Sequence, residues 1–579
     1  MSTVKQSEKV ATTPVEEKEK SSLEGRPGTG SVVGSERSLG YGGLSGGRKP
    51  LPIAWRGVMI ILTCLCAFGN HWSNALIVAL KTTIISNLKI NNSEFATLVA
   101  VTNLMNTFLC IALGYCIDKY GGASLSVVLA AFHLAGSIVM AGAATNGLNS
   151  YPLLIVGKVL AAVGDGSLDN AQHRIFSTYF APGKGFAFSI GAIWSVANLA
   201  QFAGQSTANI ISTSLGTYAW TLWISSIIAL FSLLCAVSLV LLDRYLRDKY
   251  EVTDHTSGKR HVKSTNENIS MKAGVFKLKA IRSLPMSFWL VVAFAVFENA
   301  GVQSFVSIST QFAQQRLKKG AVIGGWVSSF YLLLPAGLTP FLGIFIDMYG
   351  HRVSFLLASG VTFLISMLLL KFSHTVPTFV AAYVFYALSQ AVTPAPQVEI
   401  VRSIIPDPAY FATGFAIKKS VVQASIVIIT TAAGRLQDLS PTNSLDPAVS
   451  LWLAYAFVSV FFSGLMVFLS HFTNLLPAST LSQITPAYKK AEVDRMWSKG
   501  MANASSLRGE VIGEDGDGDE LSWEEKEKVL KAPKRASKML VSVVAPAVGM
   551  GIILLGWVMF GLGVSWGVHG SVIAGTVGE

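Results

Sequence analysis

Apolar runs of about 20 residues, the length that crosses a bilayer as a helix, recur along this chain between short polar breaks. Twelve such runs fall in two sets of six. The first set covers roughly 55–80, 93–117, 123–144, 151–174, 185–209 and 217–242. The second covers roughly 285–310, 321–346, 352–372, 378–403, 411–434 and 449–474. The fold class this predicts is an all-α polytopic membrane protein. The predicted organisation is an N-terminal arm 1–54, a six-helix bundle 55–242, a linker 243–284, a second bundle 285–474 and a polar loop 475–538. A last apolar stretch, 539–567, is long enough to be a thirteenth transmembrane helix and carries the small-xxx-small pair Gly563 and Gly567.

The two sets are copies of one another. GYCIDKYGG at 114–122 returns as GIFIDMYGH at 343–351, so Gly114, Asp118, Tyr120 and Gly121 recur 229 positions later as Gly343, Asp347, Tyr349 and Gly350. The same offset carries Phe68 and Asn70 onto Phe297 and Asn299, GFA at 185–187 onto GFA at 414–416, and Trp223 onto Trp452. Two six-helix bundles in parallel repeat, related by an axis along the membrane normal, are predicted. Gly121 and Gly122 permit a tight turn. Asp118, beside Lys119, can cap a helix or pair with a basic group.

Composition agrees with this picture. The chain is 51% hydrophobic and only 13% charged, against about 25% charged in soluble domains. Its net charge of +12 fits basic cytoplasmic loops better than a nucleic-acid surface. The linker contains RYLRDKYE, SGKRHVKS and MKAGVFKLKAIR, which places it and the N-terminus in the cytoplasm, although QQRLKK at 314–319 argues weakly the other way. The arm, rich in Gly, Ser, Lys and Glu, is expected to be disordered, with no cleavable signal peptide at its start. The cysteines Cys64, Cys66, Cys110, Cys116 and Cys235 lie in apolar runs and are expected to pack, not to ligate metal.

Polar side chains inside the spans are the candidates for chemistry, because they are costly there. The first span holds His71 and Asn74, and the seventh holds Glu298 and Asn299. An unpaired carboxylate near a span centre must be protonated, paired or wet, and His71 is the expected partner of Glu298. Lys158 and Asp165 lie seven residues apart in the fourth span, on one face but too far apart to pair directly. His173, Arg174 and Arg402 fall near span ends and read as interfacial anchors. Lys418 and Lys419 stand side by side in GFAIKKSVV, where the repeat mates are Ser189 and Ile190. Snorkelling to the cytoplasmic interface is the expected reading of both. The alternative is that one of the two faces the cavity as the cation for a substrate carboxylate.

The repeat and the turn motif resemble the major facilitator superfamily, whose loop between helices 2 and 3 reads Gly-x-x-x-Asp-Arg/Lys-x-Gly-Arg/Gly. The resemblance spans about 420 residues. It implies alternating access around a midplane site lined by helices 1, 4, 7, 10 and 11. It also implies a gating role for Gly114, Asp118, Lys119, Gly121 and Gly122 and for the degenerate copy Gly343, Asp347 and Gly350. VGKVLAAVGDGSLDNAQ (156–172), LPMSFWLVV (284–292) and IIPDPAYFATGFA (404–416) are similar to the lysosomal dipeptide transporter branch. That similarity implies a dipeptide or amino-acid-like solute, a lysosomal or vacuolar membrane, uniport or proton coupling, and an accessory membrane subunit. In such a site Asp165 and Glu298 would meet an amine, and Lys158 or a lysine of helix 11 a carboxylate. The chain departs from the branch at Gly166, which stands where the branch has an acid, at Asn198, where it has an arginine, and at Glu298, where it has an aromatic residue.

Other signals are weak. DGDGDELSWEEK at 515–526 lacks the glycine and the terminal acid of a calcium loop. The sequon NNS at 91–93 sits too close to a span to be used. No nucleotide-binding loop is found, no enzymatic chemistry, metal or cofactor is expected, and the arm has no acidic dileucine signal. A transporter of small polar solutes is the expectation. The rival readings are a carrier of sugars, organic anions or efflux cargo, a plasma-membrane address, and a non-transporting nutrient receptor.

Overall fold

The computed structural model describes residues 49–180, 185–252, 284–318, 320–372, 375–405, 411–471 and 540–570, with isolated residues between 490 and 526. Residues 1–48 of the N-terminal arm, most of the linker and residues 515–525 lie outside the described residues, as does the side chain of Asp118. Thirteen helices among the described residues are long and apolar enough to cross a membrane. In the first bundle they are α1 Ile53–Ala79, α2 Asn92–Tyr120, α3 Gly122–Ala143, α4 Tyr151–Tyr179, α5 Phe186–Ser214 and α6 Tyr218–Lys249. In the second they are α7 Met286–Leu317, α8 Ala321–Tyr349, α9 Arg352–Phe372, α10 Val376–Ile404, α11 Phe411–Asp438 and α12 Asp446–His471. The last is α13, Ala545–His569. We call the end where α1 begins the near end and the opposite end the far end.

Local chemistry sets where these helices start and bend. Asn91 and Glu94 form a reciprocal capping box at the start of α2. Ser150 caps α4, with proline in its first turn. Between Leu65 and Phe68, α1 leaves helical geometry. Groups from neighbouring helices satisfy the opened backbone there: Gln172 Nε2 donates to the Thr63 carbonyl at 2.6 Å and the Gly69 N–H donates to Ser232 Oγ at 2.8 Å. The break turns the far half of α1, with Asn70, His71 and Asn74, toward α4. A second break, at Thr393, is forced by Pro394 and Pro396, which supply no backbone N–H.

The bundles meet along two seams, α2 against α11 and α5 against α8, which are repeat mates. Glycines allow the closest approach: a Cβ at Gly343 would stand 2.6 Å from the Ala187 carbonyl oxygen. Carboxylates of the second bundle cap helices of the first at both ends. At the near end Asp347 accepts the N–H groups of Phe188 (3.1 Å) and Ala187 (3.4 Å) at the start of α5. At the far end Asp438 accepts those of Ser93 (2.9 Å) and Asn92 (3.2 Å) at the start of α2.

The thirteenth helix lies on the outside of the α2–α11 seam. A Cβ at Gly556 would stand 3.1 Å from Ala424 Cβ, and one at Gly563 2.6 Å from Thr431 Cγ2, so its glycines bring it against α11. On α2, Trp557 Nε1 donates to Thr107 Oγ1 (3.1 Å) and Asn91 Nδ2 donates to the Gly567 carbonyl (2.8 Å). Asn91 is the acceptor position of the sequon. Its burial, 3% exposed, leaves no room for a glycan.

Candidate functional site

A cavity of about 270 Å³ lies between the bundles. All eight side chains expected at a substrate site line it: His71, Asn74, Lys158, Asp165, Asn198, Glu298, Asn299 and Lys418. The break in α1 and the two-turn spacing on α4 place the first four on one wall. α7, α10 and α11 supply the other.

On the first wall Asp165 is held by amides. Asn70 Nδ2 donates to Oδ1 at 2.5 Å and Asn74 Nδ2 to Oδ2 at 2.7 Å. Lys158 Nζ donates to Asn74 Oδ1 at 2.7 Å, so one asparagine bridges a cation and an anion two turns apart. Among the described residues Asp165 forms no ion pair. The expected pairing of His71 with Glu298 is not what the structure shows. His71 Nε2 lies 3.8 Å from Asp169 Oδ1, because the bend in α1 turns it onto α4.

On the second wall Glu298 is fully buried. Its Oε1 accepts from Ser359 (2.5 Å), and Thr393 and Ser389 oxygens lie at 2.6 Å and 3.2 Å. The break in α10 brings Thr393 here. Its Oε2 has no partner among the described residues. Lys418 donates to Gln397 Oε1, which also receives Asn299 Nδ2 at 3.4 Å. Gln303 Nε2 donates to Asn299 Oδ1 at 2.5 Å. Asn198 donates within its own helix, to the Trp194 carbonyl at 2.7 Å.

Snorkelling fails for both lysines. Lys418 is 4% exposed, and Lys419 Nζ lies 2.8 Å from Asp169 Oδ2. Both line the cavity although they are one residue apart, because α11 is enclosed along most of its length. Interior partners within hydrogen-bond reach offset the cost of desolvation. His173 is no anchor either. It is buried in the cavity wall, its ring edge-on to Phe415 at 4.6 Å. Arg402 lies 3.9 Å over the Phe186 ring and donates to the Phe180 carbonyl at 3.2 Å, reaching from α10 across to the first bundle. Asp169 and His173 were thus missed as cavity-lining residues, and Lys419 had been one of two open choices. Lys158, Asp165, Asp169 and His173 follow at spacings of seven, four and four, a one-faced helical stripe that was available as a signal.

Of the turn motif, Gly121 (φ 89°) and Gly350 (φ 77°) hold the left-handed backbone that favours glycine. A Cβ at Gly122 would stand 2.5 Å from the Ala171 carbonyl oxygen. Gly114 is buried, and Lys119 is exposed with its ammonium 5.0 Å over the Tyr120 ring. Asp347 caps the start of α5.

Residues 63–323 match the sequence family described as Major Facilitator Superfamily. The protein named lysosomal dipeptide transporter MFSD1 from Danio rerio is 24% identical over 423 residues, covering 71% of this chain and 84% of that one. Its Homo sapiens counterpart is 23% identical over 400 residues, covering 67% and 81%. The solved structure of the major facilitator superfamily proton:xylose symporter XylE bound to 6-bromo-6-deoxy-D-glucose is similar with a TM-score of 0.54 and 12% identity, covering 75% of this chain and 99% of that one. The chain therefore has the major facilitator fold, two six-helix bundles with a thirteenth helix added, and it resembles the lysosomal dipeptide transporter branch of the superfamily.

Proposed function

We propose that this chain is a secondary transporter of a small zwitterionic solute, a dipeptide or amino-acid-like molecule, working by alternating access across a lysosomal or vacuolar membrane. One observation carries the reading: two charges of opposite sign face one cavity from different bundles, and neither is in an ion pair among the described residues. Among the described residues Asp165 on α4 is anchored by neutral amides, and Lys418 on α11 by Gln397 and the Phe415 ring 5.1 Å away. An amine at Asp165 and a carboxylate at Lys418 would complete both. A solute that bridges the two walls also ties the bundles together, which couples binding to closure. An uncharged sugar would leave both charges unpaired, and that is unfavourable in a dry site. The names of the relatives support the dipeptide class and the organelle.

Binding to purified protein tests this, since a ligand of the folded state raises the melting temperature. Dipeptides should stabilise the wild type, and N-acetylated dipeptides should not. Asp165→Asn should abolish the distinction between them. Equal stabilisation by sugars and dipeptides would sink the assignment. Glu298 is the proposed proton carrier: with Oε2 free and Oε1 held by hydroxyls it can gain or lose a proton without breaking an ion pair. Uptake by Glu298→Gln proteoliposomes that stays normal with and without a pH gradient would exclude it.

A further inference from the structure

We propose that the Asp169–Lys419 ion pair locks the two bundles together on the near side of the cavity, and that His71 is the replacement partner that lets Asp169 release it. The proposal rests on the reading of this chain as an alternating-access carrier.

Among ion pairs between described residues, Asp169–Lys419 alone joins the two bundles. Its nitrogen–oxygen distance is 2.8 Å, with side chains 21% and 14% exposed. Asp169 lies one turn nearer the near end than Asp165, so the pair sits beneath the charge assigned to the solute amine. Any motion that opens the near end moves α11 from α4 and parts the pair. Lys419 then meets the water of the opened vestibule. The same water reaches Asp169, which stays with its own bundle, and its unpaired charge still favours a cation beside it.

The structure holds a substitute in place. His71 is on α1, in the same bundle as Asp169, so it does not leave. Its Nε2 faces Asp169 Oδ1 at 3.8 Å, and both atoms are buried without a hydrogen-bond partner. A small approach makes the bond, and a proton on His71 makes it an ion pair. Other titratable groups surround the two. His173 on α4 and Lys419 on α11 act on Asp169. His133 on α3 neighbours His71, and Asp165 and Cys110 neighbour Lys419. Glu298 and Lys418 stand on the opposite wall. Of these, only His71 both stays with Asp169 in the first bundle and faces its free oxygen.

The sign follows. With Lys419 in place, Asp169 has its cation and His71 gains little from a proton. With Lys419 gone, a protonated His71 replaces it. The near-open state therefore binds one proton more than the locked state, and acid favours near-end opening. With the far end facing an acidic compartment, the loaded carrier would be primed to release on the near side.

Spin labels at Arg244 and Met348, exposed near-end positions of the two bundles, would report the opening in the full chain reconstituted in liposomes without solute. The near-open fraction should rise as pH falls from about 7.5 to about 5.5, with a slope of at most about tenfold per pH unit for one linked proton. His71→Gln should keep both states and lose the slope. Asp169→Asn/Lys419→Gln, which removes both charges at nearly constant shape, should fold, open more readily and show no slope. A wild-type slope in His71→Gln, or no slope in the wild type, overturns the lock. Uptake assays separate the two readings. A normal slope without dipeptide uptake overturns the transport assignment alone, and uptake without a slope overturns the lock alone.

Discussion

The starts of α5 and α11 are the same stretch used in two ways. GFAFSIGAI opens α5 and GFAIKKSVV opens α11, 229 residues later. In α5 the stretch is structural: its first N–H groups are capped by Asp347, Ser189 Oγ donates to the Phe186 carbonyl in its own helix, and Ile190 is core. In α11 the equivalents of Ser189 and Ile190 are Lys418 and Lys419, one bonded to Gln397 and the other ion-paired with Asp169. The duplicated fold works at this position with or without cations. What the repeat shares is scaffold, and what it does not share is the place to look for function.

Three substitutions would break or sharpen that contrast. The largest effect is expected at Lys418→Gln, which keeps a donor for Gln397 but removes the charge. Half-saturation for a dipeptide in proteoliposome uptake should rise about ten- to a hundredfold, the range of a hydrogen bond to a charged group, with thermal stability unchanged. An unaltered value would place the solute carboxylate elsewhere. Asp347→Ala comes next, through the α5 cap. Loss of a cap costs about 1 kcal/mol, so near-end opening, read from the same pair of labels, should increase about fivefold at every pH. A change confined to low pH would mean that Asp347 belongs to the proton-linked lock instead. The smallest effect on function is expected at Ser189→Ala, where loss of one buried hydrogen bond should shift unfolding by about 1 kcal/mol and uptake should be unchanged. A transport defect there would end the claim that the α5 stretch is scaffold only.

Much of this was legible along the chain. The spans, the repeat and the turn motif are one-dimensional patterns, set by bilayer thickness, helical period and duplication, and they led to the major facilitator fold. The eight polar positions expected at a site were legible for a related reason: polar groups inside a span are too costly to be casual, and the structure gathers them around one cavity. Their partners were not legible. His71 was matched to Glu298 on repeat symmetry, but a local break in α1 turned it to Asp169. Asp169 escaped notice beside Asp165, and the lysine pair was read against lipid and water because no partner was visible in its own helix.

α13 marks the same boundary from another direction. Its length and apolarity announce a span, but which seam it covers depends on glycines that meet Ala424 and Thr431 in a distant helix. The sequence by itself therefore determined the class, the duplication and the inventory of buried polar groups, because each follows from the cost of placing a residue type in a membrane. Only the tertiary structure decided who pairs with whom, since those bonds join residues as much as 476 positions apart and a short break in one helix reassigns them.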